Sequence, residues 1–426
     1  MKYVGVAILG LGVVGSGVYE ILNEHKEVYK KSHNLDVEVR KILTRTKEKA
    51  YQIGITDELL VTNINEICND DSISIVVEAM GGIKASLDYV TAVLKSKKSV
   101  VTSNKELYCK YGHILEKLAK DNKVGLYYEA TVGGGIPIIR TLLDNLQGNN
   151  VKSILGIING TTNYILSKML NEKVSYDNAL SEAQMLGYAE KDPTSDVDAY
   201  DSTYKLSILA SLAFKTKIPY TKIYREGIRG VSLIDINYGT KLGYTLKLLA
   251  IGKNTSNGIE VRVHPTFIKS SHPLASVNDA FNAIFIKGDS VDDVMLYGRG
   301  AGKFPTGSAV VGDVLYAAAH TDSISYSPFE NNENADPNVI FNDNFESAYY
   351  MRLLVNDTTG VLAKITAIFS KYNISVRQLN QYENGDNGVP LIIVTHITNE
   401  KNVRNAVEEI NSLPDCGHVE AVIRVD

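Results

Sequence analysis

Over residues 1–130, short apolar runs alternate with segments of helical period. The runs Val4–Leu9, Val37–Leu43, Ile73–Val77, Ser99–Thr102 and Val124–Tyr128 are predicted strands, and Ser16–Asn23 and Leu87–Lys95 are among the helices between them. That alternation is the pattern of a parallel sheet with helices on both faces. From 131 to 310 the chain changes to longer helical stretches and glycine-rich turns, with strands expected at Lys152–Ile158, Ile259–Pro265 and Ala283–Gly288. Pro305-Thr306 is expected to lead into a helix over Gly307–Ala319. Residues 326–347 are rich in Asn, Asp, Ser and Pro with little periodicity, as in a linker. Residues 348–426 then read as strand, helix, strand, strand, helix, strand.

The expected class is therefore α/β. A doubly wound domain is expected over 1–130, rejoined by the helix at about 303–320. An α+β domain is expected over 131–325, a linker over 326–347, and a βαββαβ module, the element order of ferredoxin-like folds, over 348–426.

Composition narrows the function classes. The 426 residues are 44% apolar and 22% charged, ordinary for a globular chain, and the net charge of −5 offers nucleic acid no basic field. Cys68, Cys109 and Cys416 are far apart and odd in number, which argues against a disulfide framework or a CxxC metal site. The N-terminal apolar run breaks too early at its glycine turn for a signal peptide, and no stretch approaches the ~20 apolar residues of a membrane span. A soluble cytoplasmic protein is expected.

Gly10-Leu11-Gly12-Val13-Val14-Gly15 fits GxGxxG, and it follows an apolar strand and opens a helical stretch. In that setting the glycines allow a tight turn and close approach of backbone to a pyrophosphate. The helix N-terminus supplies unpaired N–H groups for the same anion. The second strand distinguishes NAD from NADP. An acidic residue at its end bonds a ribose 2′-hydroxyl, but Asp36 begins this strand, and its end reads Thr44-Arg45-Thr46-Lys47. Arg45 and Lys47 suit a 2′-phosphate, so NADP(H) is expected ahead of NAD(H). The competing reading makes both ordinary surface cations.

Ligands of open α/β sheets bind beyond the carboxyl ends of the strands. Glu78-Ala79-Met80-Gly81-Gly82 and Ser103-Asn104-Lys105 follow two of those ends. Read alone, Lys105 is a solvated surface charge more often than a functional group. A second constellation runs from Gly187 through Tyr188, Ala189, Glu190 and Asp192 to Asp196, Asp198, Asp201 and Lys205. If a helix starts near Asp198, Asp201 and Lys205 share a face at i,i+4. A carbonyl reduction needs a proton donor beside the developing alkoxide and a carboxylate for a substrate ammonium. The plainer reading is a surface ion pair worth ~0.3–0.5 kcal/mol.

Taken together these motifs resemble homoserine dehydrogenases over nearly the whole chain. The shared segments are Gly10–Gly17, Ser103-Asn104-Lys105, Glu129–Pro137, Asn159–Leu166 and Gly187–Lys205, all in the family's order. The resemblance implies that Lys205 is the general acid/base, with Lys105 a second lysine between cofactor and substrate. Glu190 would bind the substrate's amino group, and Asp196 and Asp201 would line that pocket, Asp201 as the closer substrate partner and the orienter of Lys205. Gly10, Gly12, Val13, Val14, Gly15, Arg45, Ser103, Lys105, Gly187 and Gly302 would contact the cofactor. Glu129 with the carbonyls of Val132, Gly134 and Ile136 matches a monovalent cation site for Na⁺, a hard-oxygen set.

The implied reaction is reversible hydride transfer between L-aspartate 4-semialdehyde and L-homoserine, in threonine and methionine biosynthesis. Like charge on the two lysines should push one pKa down. The βαββαβ order and the Asp357–Gly360 turn of the C-terminal module resemble an ACT domain, at whose turn an amino-acid effector such as threonine would bind; a purely structural or dimer-forming module is the competing reading. A homodimer or higher homo-oligomer is expected, without membrane or nucleic-acid partners. The chain departs from the family at Ala199, where glycine is usual, at the added carboxylate Asp198, and at Arg299, where proline is usual. Two other readings compete: an aspartate-semialdehyde dehydrogenase, which needs a thiolate nucleophile, and a non-catalytic amino-acid sensor.

Overall fold

The computed structural model describes residues 1–321, 324, 326–329, 331–382, 388–413 and 417–426. Cys416 lies outside them. Two compact units share the chain, which passes between them repeatedly. Met1–Gly160, Asp201–Ile223 and Phe281–Val339 form the first; Thr161–Tyr200, Tyr224–Ala280 and Ile340–Asp426 form the second.

The first unit is built on six strands: β1 (Lys2–Leu9), β2 (Leu35–Leu43), β3 (Leu60–Val61), β4 (Ile73–Glu78), β5 (Ser99–Thr102) and β6 (Leu126–Tyr127). They lie in the order β3-β2-β1-β4-β5-β6, and every pairing is parallel. Covered on both faces, such strands read as unbroken apolar runs, and Val6, Ala7, Ile8 and Leu9 are all fully buried. The order reverses between β1 and β4, the place where an open α/β sheet leaves a crevice for a ligand. The helix Lys303–Ala319 returns from far along the chain to this core, where Val310, Val311 and Val314 pack with Val4, Val6 and Ile8. Contact with the helix Val13–Glu24 is close, since a Cβ on Gly17 would run into the Lys303 carbonyl. Three antiparallel strands, Val151–Ile157, Phe281–Gly288 and Asp293–Arg299, complete the described sheet structure of this unit.

The second unit contains a long hairpin, Tyr244–Thr255 with Gly258–Lys269, and the C-terminal βαββαβ module. The module's strands are Glu346–Val355, Val376–Gln381, Val389–Thr395 and His418–Val425, and its helices are Val361–Lys371 and Glu400–Asn411. Ile365, Phe369, Val403, Ala406 and Ile410 on the helices cover Tyr349, Met351 and Ile393 on the strands. The module is not a separate bead. Its last strand pairs in parallel with the hairpin, Thr266 opposite Arg424 and Phe267 opposite Val425, so a single sheet runs through both parts.

Several elements depart from the pattern-based expectation. The helix expected at Gly307 starts at Lys303, with Gly302 as its N-cap at φ +131. Pro305 therefore sits in the first turn, where its missing N–H would have had no intrahelical partner. The helix containing Asp201 starts at Tyr200, not Asp198. Tyr244–Thr255 is a strand in a stretch read as largely helical, because a buried apolar run has no period to separate the two forms. No described helix is long and apolar enough to cross a membrane.

Candidate active site

The glycine fingerprint forms the turn between β1 and the helix Val13–Glu24. Gly10 adopts φ +92, a conformation that L side chains rarely take, and donates its N–H to Leu43 O at the end of β2. Gly15 lies so close to the turn that a Cβ would overlap the Gly10 carbonyl. Gly12 differs: a Cβ there meets nothing within 4 Å. No side chain caps this helix, and Val13 is 67% exposed at its start. An uncapped N-terminus facing open space fits a dinucleotide pyrophosphate. The contrast between the two glycines is testable. Gly12→Ala should keep the melting temperature within about 1 °C yet raise the KM for cofactor about tenfold or more, by blocking backbone approach. Gly15→Ala should cost about 1–3 kcal/mol of stability, seen as a lower melting temperature.

At the end of β2, Arg45 is exposed, while Lys47 is paired with Asp57 at 2.8 Å. Of the two expected phosphate partners, Lys47 is thus the one already engaged by a carboxylate. Asp36 is the second residue of β2, at the end of the strand away from the crevice, and lies 3.6 Å from Lys30.

Beyond β4 and β5, a chain of hydrogen bonds shapes the turn that presents Lys105. Glu78, fully buried at the end of β4, accepts from Met80 N and Ser86 Oγ at 3.0 Å each and from Thr102 Oγ1 at 2.6 Å. Thr102 Oγ1 in turn accepts from Asn104 N at 3.0 Å. Asn104 caps the helix Lys105–Asn122 by accepting from Leu107 N, and its amide donates to Gly82 O at 2.6 Å. Ser103 N donates to Glu78 O at 3.3 Å. Lys105 is thus the first residue of a capped helix, held in place from behind. The sequence pattern singles out both turns, but it gives Glu78 no partner and Asn104 no capping role.

Asp201 is the meeting point. It is 3% exposed, and its carboxylate receives Lys105 Nζ on Oδ1 at 2.8 Å and Lys205 Nζ on Oδ2 at 2.7 Å. Asn159 Nδ2 also donates to Oδ2, at 2.9 Å, and Lys205 Nζ donates to Ile158 O at 2.8 Å. Burial alone would raise the Asp201 pKa, but the two ammonium groups outweigh it and hold the carboxyl well below the usual range. The i,i+4 pair is therefore no solvated surface bridge. The i,i+4 spacing places Asp201 beside Lys205; its bond to Lys105, which counters the repulsion between the two ammonium groups, has no counterpart in the sequence pattern.

Glu190, Asp196, Gly187 and Asp198 belong to the second unit. Gly187 has φ +76 in the turn after the helix Tyr176–Met185, Glu190 is exposed, and Asp196 lies in the short helix Thr194–Val197. The Tyr188 carbonyl accepts from Thr161 Oγ1 at 2.6 Å, which ties this signature to the Asn-Gly-Thr-Thr segment. Asp198, the added carboxylate, is engaged by Arg229 at 2.6 Å. Ala199 adopts φ +62, so the turn that glycine commonly serves is kept here at some backbone strain.

Glu129 is buried, and its oxygens accept from Ile139 N at 2.7 Å and Arg140 N at 2.8 Å. Burial and the nearby Asp313 carboxylate push its pKa up to about 7, against the two backbone donors. Asp313 accepts from Glu129 N and pairs with Arg140 at 3.1 Å. Val132 and Ile136 are buried, and Gly134 has φ +57 beside Gly133 at +73. Two buried carboxylates against one guanidinium leave a charge that a small cation suits, and backbone carbonyls on a glycine turn are its usual hard donors. Arg299, where proline was expected, ends its strand; its guanidinium lies 4.8 Å from the Phe281 ring centroid and its carbonyl accepts from Gly135 N.

Comparison with known proteins decides the family. The family described as "Homoserine dehydrogenase, NAD binding domain" matches residues 10–129, "Homoserine dehydrogenase" matches 137–315, and "ACT domain" matches 349–415. A homoserine dehydrogenase of Bacillus subtilis is 36% identical, with 100% of this chain and 99% of that one covered. The chain belongs to the homoserine dehydrogenase family. It is accordingly of the NAD(P)-dependent oxidoreductase class that acts on a CH–OH group. A crystal structure of the Thiobacillus denitrificans homoserine dehydrogenase aligns with a TM-score of 0.93 at 37% identity, covering 100% of this chain and 99% of that one. A hyperthermophilic archaeal homoserine dehydrogenase in complex with NADPH aligns with a TM-score of 0.65 at 29% identity, covering 76% of this chain and 100% of that one. The family accounts for the α/β class, the nicotinamide-binding sheet and the C-terminal ACT module alike.

Proposed function

We propose that the chain interconverts L-homoserine and L-aspartate 4-semialdehyde with NADP(H) preferred over NAD(H), and that Lys205 is the acid/base. When bound, the nicotinamide supplies or takes up the hydride. Lys205 gives a proton to the aldehyde oxygen as negative charge develops there, and takes it back in the oxidative direction. Lys105 adds positive field at that oxygen, and Asp201 keeps both ammonium groups aimed. Glu190 and Asp201, with Asp196 beside them, fix the substrate. Gly10, Gly12, Val13, Val14, Gly15, Ser103, Gly187 and Gly302 line the cofactor, with Arg45 on a 2′-phosphate. The observation that carries this reading is the Lys105–Asp201–Lys205 cluster, with Asp201 and Lys205 buried and Lys105 partly exposed, in the unit that holds the glycine fingerprint.

The same proposal gives Glu129 and the carbonyls of Val132, Gly134 and Ile136 a sodium ion. It gives the Asp357–Gly360 turn an amino-acid effector, and it makes the protein a dimer through its central domain, with the boundaries 1–130, 131–325, 326–347 and 348–426. Cys109 argues against the thiolate mechanism of an aspartate-semialdehyde dehydrogenase. Its thiol is buried against Ser207 Oγ at 3.4 Å, and burial pushes its pKa up.

The deciding experiment is the initial rate of L-homoserine oxidation with NADP and NAD side by side. Turnover with NADP supports the whole reading, and turnover with NAD alone keeps the reaction but removes Arg45 from its role. A folded, sodium-supplied protein that turns over with neither cofactor would be the sensor. In the NADP-active case, Arg45→Ala should raise the KM for NADP about 10- to 100-fold, the loss of one or two charge-assisted hydrogen bonds, and leave that for NAD unchanged.

A further inference from the structure

We infer that Asn159 is a positioning residue of the reaction, setting the plane of the Asp201 carboxylate so that its two oxygens are divided between the two lysines. The inference rests on the reading of Lys205 as the acid/base. Asn159 follows Val151–Ile157, the strand that delivers it, and precedes the helix that begins at Gly160. It is 5% exposed and its amide nitrogen reaches Asp201 Oδ2 at 2.9 Å. The residue before it, Ile158, accepts from Lys205 Nζ through its carbonyl at 2.8 Å. Two consecutive residues therefore grip both members of the Asp201–Lys205 pair, one by side chain and one by backbone.

The chemistry of the side chain matters at this spot. A buried carboxylate between two ammonium groups can rotate about χ2 and give both oxygens to one of them, because terminal sp³–sp² torsions are broad. A third donor fixed on Oδ2 alone breaks that symmetry. Asparagine supplies it without charge. An aspartate would repel Asp201 unless protonated, and an aliphatic residue would leave Oδ2 to Lys205 alone. The amide also draws charge away from Oδ2, which lessens its hold on the Lys205 proton. Without the amide, Oδ2 is the stronger acceptor and Lys205 keeps its proton to higher pH. Homoserine oxidation, which needs Lys205 to accept a proton, then suffers most at neutral pH.

The test is steady-state kinetics of homoserine oxidation against pH for Asn159→Ala and Asn159→Asp, with Lys205→Met alongside. Asn159→Ala should lower kcat about 10- to 100-fold near neutral pH, the size of one hydrogen bond to a charged group, and leave the KM for cofactor within about twofold. Its deficit should shrink as the pH is raised, since the limb belonging to the lysine moves upward. Asn159→Asp, whose buried carboxyl takes up a proton beside Asp201, should recover activity relative to Asn159→Ala on the acid side and lose it on the alkaline side. A merely structural role would lower both variants at every pH alike. If Asn159→Ala fails to fold, the pH dependence of Asn159→Asp carries the decision by itself. An unshifted pH profile in either folded variant, with Lys205→Met inactive, overturns the inference and leaves the reaction reading intact. Full turnover by Lys205→Met overturns that reading instead.

Discussion

Lys205→Met should give a folded protein whose kcat falls by about 10²- to 10⁴-fold, the usual contribution of one positioned acid/base group. Methionine keeps most of the length and apolar contact of the lysine stem, which is buried in the helix Tyr200–Phe214. The substitution does not strand a charge. Asp201 retains Lys105 at 2.8 Å and the Asn159 amide at 2.9 Å, so the carboxylate left behind is still partnered. The loss should therefore appear in turnover and not in stability, which circular dichroism and a thermal melt distinguish. Asp201→Ala is the informative contrast, because it leaves two ammonium groups facing one another with their shared counter-charge gone. The native Asp201 carboxyl titrates below its ordinary value of 3.8. A depressed carboxyl contributes stability that is complete above the unfolded value and fades as pH falls below about 4. Near-normal turnover by a folded Lys205→Met protein would remove Lys205 from the chemistry.

The parts of the site that could be read from sequence are those whose logic is local. The strand–turn–helix of Gly10–Gly15 was legible because glycine spacing, a preceding apolar run and a following helical period all fall within a few residues. Asp201 and Lys205 were legible as a pair because i,i+4 on a helix is a local relation. What made the pair more than a surface bridge was not local. Lys105 reaches Asp201 from the start of a different helix, and Asn159 reaches it across 42 residues. Glu78 acts on the Lys105 turn through Thr102, 24 residues away. None of these has a periodic signature, since a side chain that folds inward to bond a distant partner imposes no rule on its neighbours. The C-terminal module shows the same division. Its βαββαβ order was plain from alternating periods, but its fusion to the hairpin through Thr266–Arg424 and Phe267–Val425 depends on tertiary placement alone.

That fusion carries the second large effect. Asp235, on the helix Leu233–Lys241 outside the module, is 1% exposed and receives three donors from the module's first strand. Tyr350 Oη donates at 2.9 Å, Arg352 Nε at 2.7 Å, and Arg352 Nη2 at 3.2 Å, the last two forming a bidentate pair. Burial and the carboxylate push the Tyr350 pKa far up, so the phenol stays a donor at any ordinary pH. Asp235→Ala removes the acceptor and strands a largely buried guanidinium, with Glu420 at 3.6 Å its remaining carboxylate among the described residues. Breaking a buried pair from one side costs about 3–5 kcal/mol, a large share of the ~5–15 kcal/mol that holds a typical domain together. The expected result is a urea transition moved to clearly lower concentration, with the C-terminal module the first part to lose hydrogen-exchange protection. Removing both partners is a different experiment. Asp235→Leu with Arg352→Met takes the charge and its counter-charge out together, and apolar replacement of a whole buried pair is often neutral or stabilising. The double variant should therefore regain most of what Asp235→Ala loses, less about 1 kcal/mol for the orphaned Tyr350 hydroxyl. A double variant as unstable as the single one would mean that Asp235 supports its own helix and does not clamp the module to it.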